Sequence, residues 1–348
     1  MANQSNDPVQ ILSHIHSYAV TQSLVAACHL RLFDQLENEG VTAKQVADAV
    51  HSDFDGVRGL LNALVSMGYV QKMGDNTSTL YKNTPLASNF LVTTSAQSLY
   101  PYVMIQGQVS YPVQSNYKYA VQEGRPQVQR TFNQGTYFSD IITKDSKKAM
   151  GFFASMHSIA RVFHCPVVLD NFNFSQYREA CDLGSGSGTI GLALSQTYKD
   201  SMTVTIYDSP MAIEASMKFM PESSFPGNLT FTKGDMMRDS LPYCNLYVLS
   251  HVINMLSDER AAFLLKKVFA TMVPGGAILL LETLLNDDMR GPQLAHMLSM
   301  GLLAFNGTRQ RSGEEVQKLL EGQGFREVQV TRTGTLSDAI LATKPLMP

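Results

Sequence analysis

The stretch Glu179-Ala-Cys-Asp-Leu-Gly-Ser-Gly-Ser-Gly188, followed twenty residues later by Tyr207-Asp208, constrains this chain more than any other. It reads as a short apolar strand, a glycine turn opening a helix, and a second strand ending in an acid. An α/β sheet holds an adenosine in this way. Gly184, Gly186 and Gly188 can adopt positive φ and let the backbone approach a ligand without a Cβ clash. Asp208, at the tip of the second strand, is placed to accept hydrogen bonds from ribose hydroxyls.

The spacing argues against nicotinamide. A dinucleotide fingerprint runs G-x-G-x-x-G, whereas here the glycines run G-x-G-x-G and Thr189 takes the place of the third glycine. Asp182, inside the strand end, would repel a pyrophosphate but suits a ligand bearing an ammonium group. Both points favour S-adenosylmethionine (SAM) as cofactor. A glycine turn alone is weak evidence, since it also serves as plain structure, so the rest of the chain has to support it.

At 348 residues the chain is long enough for two domains with sizeable cores. A net charge of −3 gives no reason to expect nucleic acid or an anionic membrane as partner. The first residues carry neither a basic region nor an apolar segment of the signal-peptide kind. The longest apolar run, Ala277-Ile-Leu-Leu-Leu281, is too short to span a bilayer. Cys28, Cys165, Cys181 and Cys244 show no CxxC pairing and read as free thiols in a reducing, cytoplasmic setting.

Residues 8–38 read as one long helix, then 43–50 and 54–67 as two shorter ones. Tyr69-Val-Gln-Lys-Met and Thr79-Leu-Tyr-Lys flank Gly74-Asp-Asn-Thr77 as a hairpin, and helices followed by a hairpin make a winged helix. That fold often binds DNA, but residues 1–100 carry five basic against eight acidic side chains, which disfavours phosphate contact. The long apolar first helix suggests a dimer interface instead. Residues 100–165 read as a mostly helical connector. From 166 strands and helices alternate, with strands expected at 178–183, 203–208, 229–232, 245–250, 276–282, 326–333 and 338–343, the last two as an antiparallel pair.

This arrangement resembles the acetylserotonin O-methyltransferase-like family of class I SAM-dependent O-methyltransferases. The resemblance runs from Leu24-Val-Ala-Ala-Cys-His-Leu-Arg-Leu-Phe-Asp34 to Asp338-Ala-Ile-Leu-Ala342. Its specific motifs are Asp182-Leu-Gly-Ser-Gly-Ser-Gly188, Gly234-Asp-Met-Met237, Pro274-Gly-Gly276, Glu282 and Arg290-Gly-Pro292. It implies an α/β fold: a Rossmann-like methyltransferase sheet (166–348), an N-terminal winged-helix dimerisation domain (1–105), and a connector (106–165) lining the active site. It also implies a homodimer. By the resemblance Gly184 lies under the methionine part of SAM and Asp208 takes the ribose. Gly234, Asp235 and Met236 meet the adenine, with Asp235 accepting from its amino group and Met236 packing on the ring. The chemistry suits those types, although Asp235 also reads as a solvated turn acid.

The catalytic segment departs from the family pattern. Where the family reads Leu-His-Asp-Trp, its His being the general base, this chain has Ile253-Asn-Met-Leu256, with Asn254 at the His position. A second carboxylate position of related plant enzymes aligns with Gln310, and only Glu282 is kept. A phenol has a pKa near 10 and general-base catalysis is worth about 10²–10⁴-fold. Amides at 254 and 310 can position an acceptor but cannot take its proton, so a nucleophile needing no base would suit the site. Glu282 becomes a base if desolvation raises its pKa. His251 reads as a polar neighbour of SAM, while His157 and His164 read as residues of the connector helix. By the same resemblance Met156, His157, Met300, Gly301 and Phe305 face the acceptor, a small aromatic or heteroaromatic molecule. The expectation is methyl transfer to that acceptor; the alternatives are a SAM enzyme of other chemistry and an inactive SAM-binding dimer.

Overall fold

The computed structural model describes residues 7–37, 39–74, 79–140, 146–219 and 225–346. It divides into two compact units, Met1–Tyr111 and Pro112–Pro348. In the first unit α1 spans Val9–His29 and α2 Leu32–Gln35. The single helix expected over 8–38 is therefore interrupted. Arg31 takes a left-handed backbone (φ 56°), and the bend carries Leu32, Phe33 and Leu36 into the core.

Helices α3 (Ala43–Ala49) and α4 (Phe54–Ser66) follow, and both start on side chains that bond their first-turn amides. Thr42 and Gln45 form a reciprocal capping box, and the Asp53 carboxylate accepts from the Gly56 N–H at 2.8 Å. Strands β1 (Val70–Met73) and β2 (Leu80–Asn83) pair antiparallel, as the hairpin pattern expects. The turn assigned to Gly74-Asp-Asn-Thr77 lies, after Gly74, outside the described residues. Leu61, Leu64, Val70 and Tyr81 pack with the α2 apolar side chains into one core.

In the second unit the chain first forms short helices (Tyr117–Glu123 and Val128–Phe132) and then a long run from Ser146 to Asn171. That run has a mean hydropathy of 1.3 over its most apolar window, so by length and composition it could cross a membrane. The expectation drawn from contiguous apolar residues overlooked it. Its apolar side chains are nonetheless spent on the domain. Ala149 and Phe153 pack on Ala212 and Ala215, and Val167 and Val168 pack under the sheet. Within it, Ala160–His164 form a π-turn, with the Cys165 N–H reaching back to the Ala160 carbonyl. Pro166 explains the turn: it lacks an N–H, and its ring would strike a regular helical carbonyl four residues back.

Seven strands make one sheet in the order β5-β4-β3-β6-β7-β9-β8. They are β3 (Glu179–Leu183), β4 (Thr203–Asp208), β5 (Leu229–Lys233), β6 (Leu246–Ser250), β7 (Ala277–Glu282), β8 (Arg326–Thr331) and β9 (Asp338–Thr343). The first five are mutually parallel, while β9 runs antiparallel to both β7 and β8. β6 and β7 are buried on both faces, which is why they read as continuous apolar runs rather than alternating ones. Strand order reverses between β3 and β6, so a crevice opens at their carboxyl ends. The helix Asp258–Thr271 covers one face through Ala261, Leu264, Leu265 and Val268. It starts on Ser257, whose hydroxyl accepts from the Arg260 N–H.

Candidate functional site

Every residue singled out in the glycine-turn region lies at the carboxyl end of β3, β4 or β5. Gly184, Gly186 and Gly188 all have positive φ (71°, 61° and 71°), so the turn needs glycine there. A Cβ on Gly184 would lie 2.8 Å from Val252 Cγ2 and 3.0 Å from Met236 Cε, whereas one on Gly186 would meet nothing within 4 Å. Met236 thus overhangs the turn. Gly234 is set by close approach: a Cβ would fall 2.1 Å from the buried Tyr207 hydroxyl oxygen.

The two acids of the turn are held by backbone amides. Asp208 Oδ2 accepts from the Gly186 N–H (2.8 Å) and Oδ1 from the Ser209 N–H (2.6 Å). Burial pushes its carboxyl up, and those two hydrogen bonds oppose the shift. Asp182 is 1% exposed; its Oδ2 accepts from the Gly191 N–H at 2.8 Å, while Oδ1 is buried with no partner. Burial first, then the nearby Asp208 charge, raise its pKa to about 7 against the pull of that N–H. An orphaned buried carboxylate oxygen is costly, and a ligand ammonium would complete it. These residues therefore fit SAM. Asp235 is half exposed; it accepts from the Met237 N–H (2.8 Å) and pairs with Arg238 at 3.6 Å, leaving lone pairs for an outside donor.

At the ends of β6 and β7 lies a second cluster. Ile253–Met255 form a single 3-10 turn. Glu282, 2% exposed, accepts the Ile253 N–H on Oε1 at 3.1 Å, and its Oε2 has no partner. Burial drives its pKa to about 8, although the Arg311 guanidinium and the Asn254 and Ile253 amides pull the other way. Arg311 is buried and clamps the turn, donating to the Ile253 carbonyl (2.6 Å), the Leu256 carbonyl (2.8 Å) and Asp258 (2.9 Å). Asn254 Oδ1 and Gln310 Oε1 are also buried without partners. Asn254, Glu282 and Arg311 pack together with Ile253, Leu284 and Val316, with no room between them for a water molecule.

Two histidines make contacts that the sequence did not show. His251, expected beside SAM, directly follows β6, and the next residue, Val252, is the one that meets Gly184. The His251 ring bonds Ser337 Oγ through Nε2 (3.0 Å) and Asn254 through Nδ1 (3.3 Å). His157, expected among acceptor contacts, bonds Thr189 Oγ1 through Nδ1 (2.8 Å), and Thr189 bonds Ser187 Oγ (2.7 Å), so it buttresses the glycine turn. Its ring stacks on Phe219 at 5.5 Å. Burial, then the Arg161 charge, lower its pKa to about 4.

The remaining acceptor candidates lie on helices. Met156 and Met300 are half-buried. A Cβ on Gly301 would meet only the Tyr117 hydroxyl, at 3.8 Å, so no close approach demands glycine there. Phe305 stands edge-on to Phe138 at 5.5 Å and packs in a cluster with Val113, Ala120 and Ala304. Sequence reasoning gave no role to Thr189, Val252, Arg311 or Ser337. For Arg311 and Ser337 the signal is a pairing between segments more than 50 residues apart, which no local pattern carries.

Residues 115–326 match the model of the O-methyltransferase domain, and residues 12–93 match that of the O-methyltransferase dimerisation domain. The chain is 32% identical over 340 residues to a human probable bifunctional dTTP/UTP pyrophosphatase/methyltransferase protein. That match takes 97% of this chain but 54% of the relative, so the chain spans about half of that relative's length. It is 30% identical over 349 residues to bovine acetylserotonin O-methyltransferase, covering 99% of this chain and 100% of that one. Among solved structures, human N-acetylserotonin methyltransferase in complex with SAM superposes with a TM-score of 0.91 at 30% identity, covering 99% of this chain and 100% of that one.

Proposed function

The chain belongs to the O-methyltransferase family, and from that premise we propose that it is a SAM-dependent methyltransferase acting on a small aromatic or heteroaromatic acceptor. The observation that carries the cofactor assignment is the turn at 184–188. Positive-φ glycines there lie beside an orphaned Asp182 oxygen and an Asp208 carboxylate held by two amides. Bound there, SAM supplies a methyl group on a sulfonium, open to an in-line nucleophile.

The chain's own residues then have separable tasks. Asp182 and Asp208 bind and orient, and the His157–Thr189–Ser187 chain stiffens the turn. Asn254 takes the place of the family's His, and with Gln310 it offers amide groups to hold the acceptor nucleophile in line. Orientation alone can supply a large part of a rate enhancement. Glu282 is a group at the 3-10 turn that can accept a proton. With a pKa of about 8 its carboxyl is mostly neutral at pH 7.

Two measurements test this. Asp208→Ala removes both amide-bonded oxygens and should weaken SAM binding at least about tenfold by calorimetry; unchanged affinity would overturn the cofactor assignment. Labelled methyl from SAM should appear on a member of a phenol, amine and thiol panel, with release of S-adenosylhomocysteine. The non-titrating amides at 254 and 310 favour a second reading, a SAM enzyme of other chemistry. SAM binding with no methylated product, and no gain from Asn254→His with Met255→Asp, would select it.

A further inference from the structure

The half-buried ring of His251, behind Asn254, is used by none of the roles above. His251 has a left-handed backbone (φ 53°), and its N–H is fixed on the Leu281 carbonyl at 2.8 Å. Its ring lies against His164, with centroids 4.8 Å apart and planes at 28°. His164 is the last residue of the π-turn and bonds Ser250 Oγ at 3.1 Å. One edge of the His251 ring reaches Ser337 and the other reaches the Asn254 amide nitrogen.

We infer that His251 is a positioning residue that locks the Asn254 carboxamide with its oxygen, rather than its NH₂, free for the acceptor. This rests on Asn254 belonging to the acceptor site. A neutral imidazole has one N–H and one bare nitrogen. Asn254 Nδ2 donates to Nδ1, so Nδ1 is the bare nitrogen and Nε2–H points at Ser337 Oγ. A positive ring would present N–H on both edges and force the amide to turn over. Turned over, the amide would give its oxygen to the ring and leave both N–H groups unpaired, in place of the oxygen and the single N–H that it now leaves without a partner.

The surroundings keep the ring neutral. Its direct partners, His164, Ser337 and Asn254, carry no negative charge. The carboxylates of the flanking strands are engaged elsewhere: Asp338 on Arg332 (2.9 Å) and the Thr333 N–H (3.0 Å), Glu282 on the Ile253 N–H. Burial alone lowers the His251 pKa to about 4, and His164 is held well below the ordinary histidine value, by burial first and then by His251. The free Asn254 oxygen then selects an acceptor that donates a hydrogen bond, such as a hydroxyl or an N–H.

The test reads the tautomer directly in full-length protein carrying ¹⁵N-histidine, by long-range ¹H–¹⁵N correlation with no acceptor present. His251→Phe identifies the His251 signals by their loss. The expected result is a neutral Nε2–H ring that does not titrate near neutral pH, whose Nδ1 resonance shifts in Asn254→Leu as its donor disappears. An Nδ1–H ring, or an imidazolium at neutral pH, would overturn the inference. So would an Nδ1 resonance unmoved by Asn254→Leu. Exchange of the Asn254 side-chain NH₂ hydrogens should be at least about tenfold faster in His251→Phe; a ring that only fills space would leave that rate unchanged. With phenol and anisole as probes, phenol alone should shift the Asn254 amide signals. No shift with phenol, or an equal shift with anisole, would refute the acceptor class while leaving the tautomer result to stand or fall separately. None of these readouts requires methyl transfer, so a failure of the proposed activity is distinguishable from a failure of this inference.

Discussion

At the scale of single residues, Glu282 is where burial and function meet. Its carboxyl has no counter-charge strong enough to offset desolvation, so its pKa rises from the ordinary 4.5 to about 8. Between those values the folded chain keeps a proton that the unfolded chain has released. The native state is therefore favoured fully below about pH 4.5, and this contribution is lost as pH rises towards 8, by up to about 1.4 kcal/mol per pH unit. Glu282→Gln removes the titration. Relative to the native chain, the variant should gain stability steadily between about pH 5 and 8, which denaturant titrations at several pH values would show. A constant difference would mean that Glu282 is ionised throughout. The same carboxyl should govern rate: methyl transfer to a protic acceptor should climb as pH approaches 8 and level off above it, and Glu282→Gln should flatten that climb. The position of Glu282 was readable, because it ends an apolar run after Pro274-Gly-Gly276. Its protonation was not, since that depends on how tightly β6, β7 and Arg311 close around it.

At the scale of elements, legibility follows the range of the interactions that make each one. All seven strands of the large sheet lie within a residue or two of the segments expected from the sequence, because β-branched and leucine-rich runs bounded by glycine, proline and acids are local signals. The helix starts at Ser257 and the breaks at Pro274-Gly-Gly276 are local too. The break at Arg31 and the π-turn at 160–164 were not read, although Pro166 offered a signal for the second. The 3-10 turn that carries Asn254 is the extreme case. Its shape depends on Arg311, which holds the Ile253 and Leu256 carbonyls from 58 and 55 residues away. Arg311→Met keeps the side-chain length but leaves both carbonyls and Asp258 without their donor. Hydrogen bonds from a charged group are worth about 1.5–3 kcal/mol each, so a loss of roughly 3 kcal/mol is expected in urea unfolding. Turnover should fall with it while SAM affinity holds, because the cofactor turn hangs on β3 and β4 rather than on this clamp. An equal loss of SAM affinity would show that the two ends of the site are not independent.

At the scale of the whole molecule, the question is what the first helix does with its apolar surface. Val9, Ile11, Leu12, Ile15, Tyr18 and Val20 are each more than half exposed. Scattered exposed apolar residues need no explanation, but Ile11, Leu12, Ile15 and Tyr18 fall on one side of the helix at 100° per residue and form a patch that a monomer in water would leave wet, with Val9 and Val20 on the other side. The family match over residues 12–93 is to a dimerisation domain, and a second copy of the same chain covers such a patch by symmetry. The apolar character of the first helix was legible in the sequence, and its exposure was not, since apolar side chains do not say which partner covers them. Two charges placed there make the decisive change. Leu12→Asp with Ile15→Asp would bury two unpaired carboxylates per copy in a dimer, while in a monomer both stay solvated and cost the fold little. Sedimentation should therefore show the native chain as a dimer and the double variant as a monomer at micromolar concentration, with the unfolding midpoint of the Pro112–Pro348 unit nearly unchanged. A variant that remains dimeric would place the contact on another surface of the first unit.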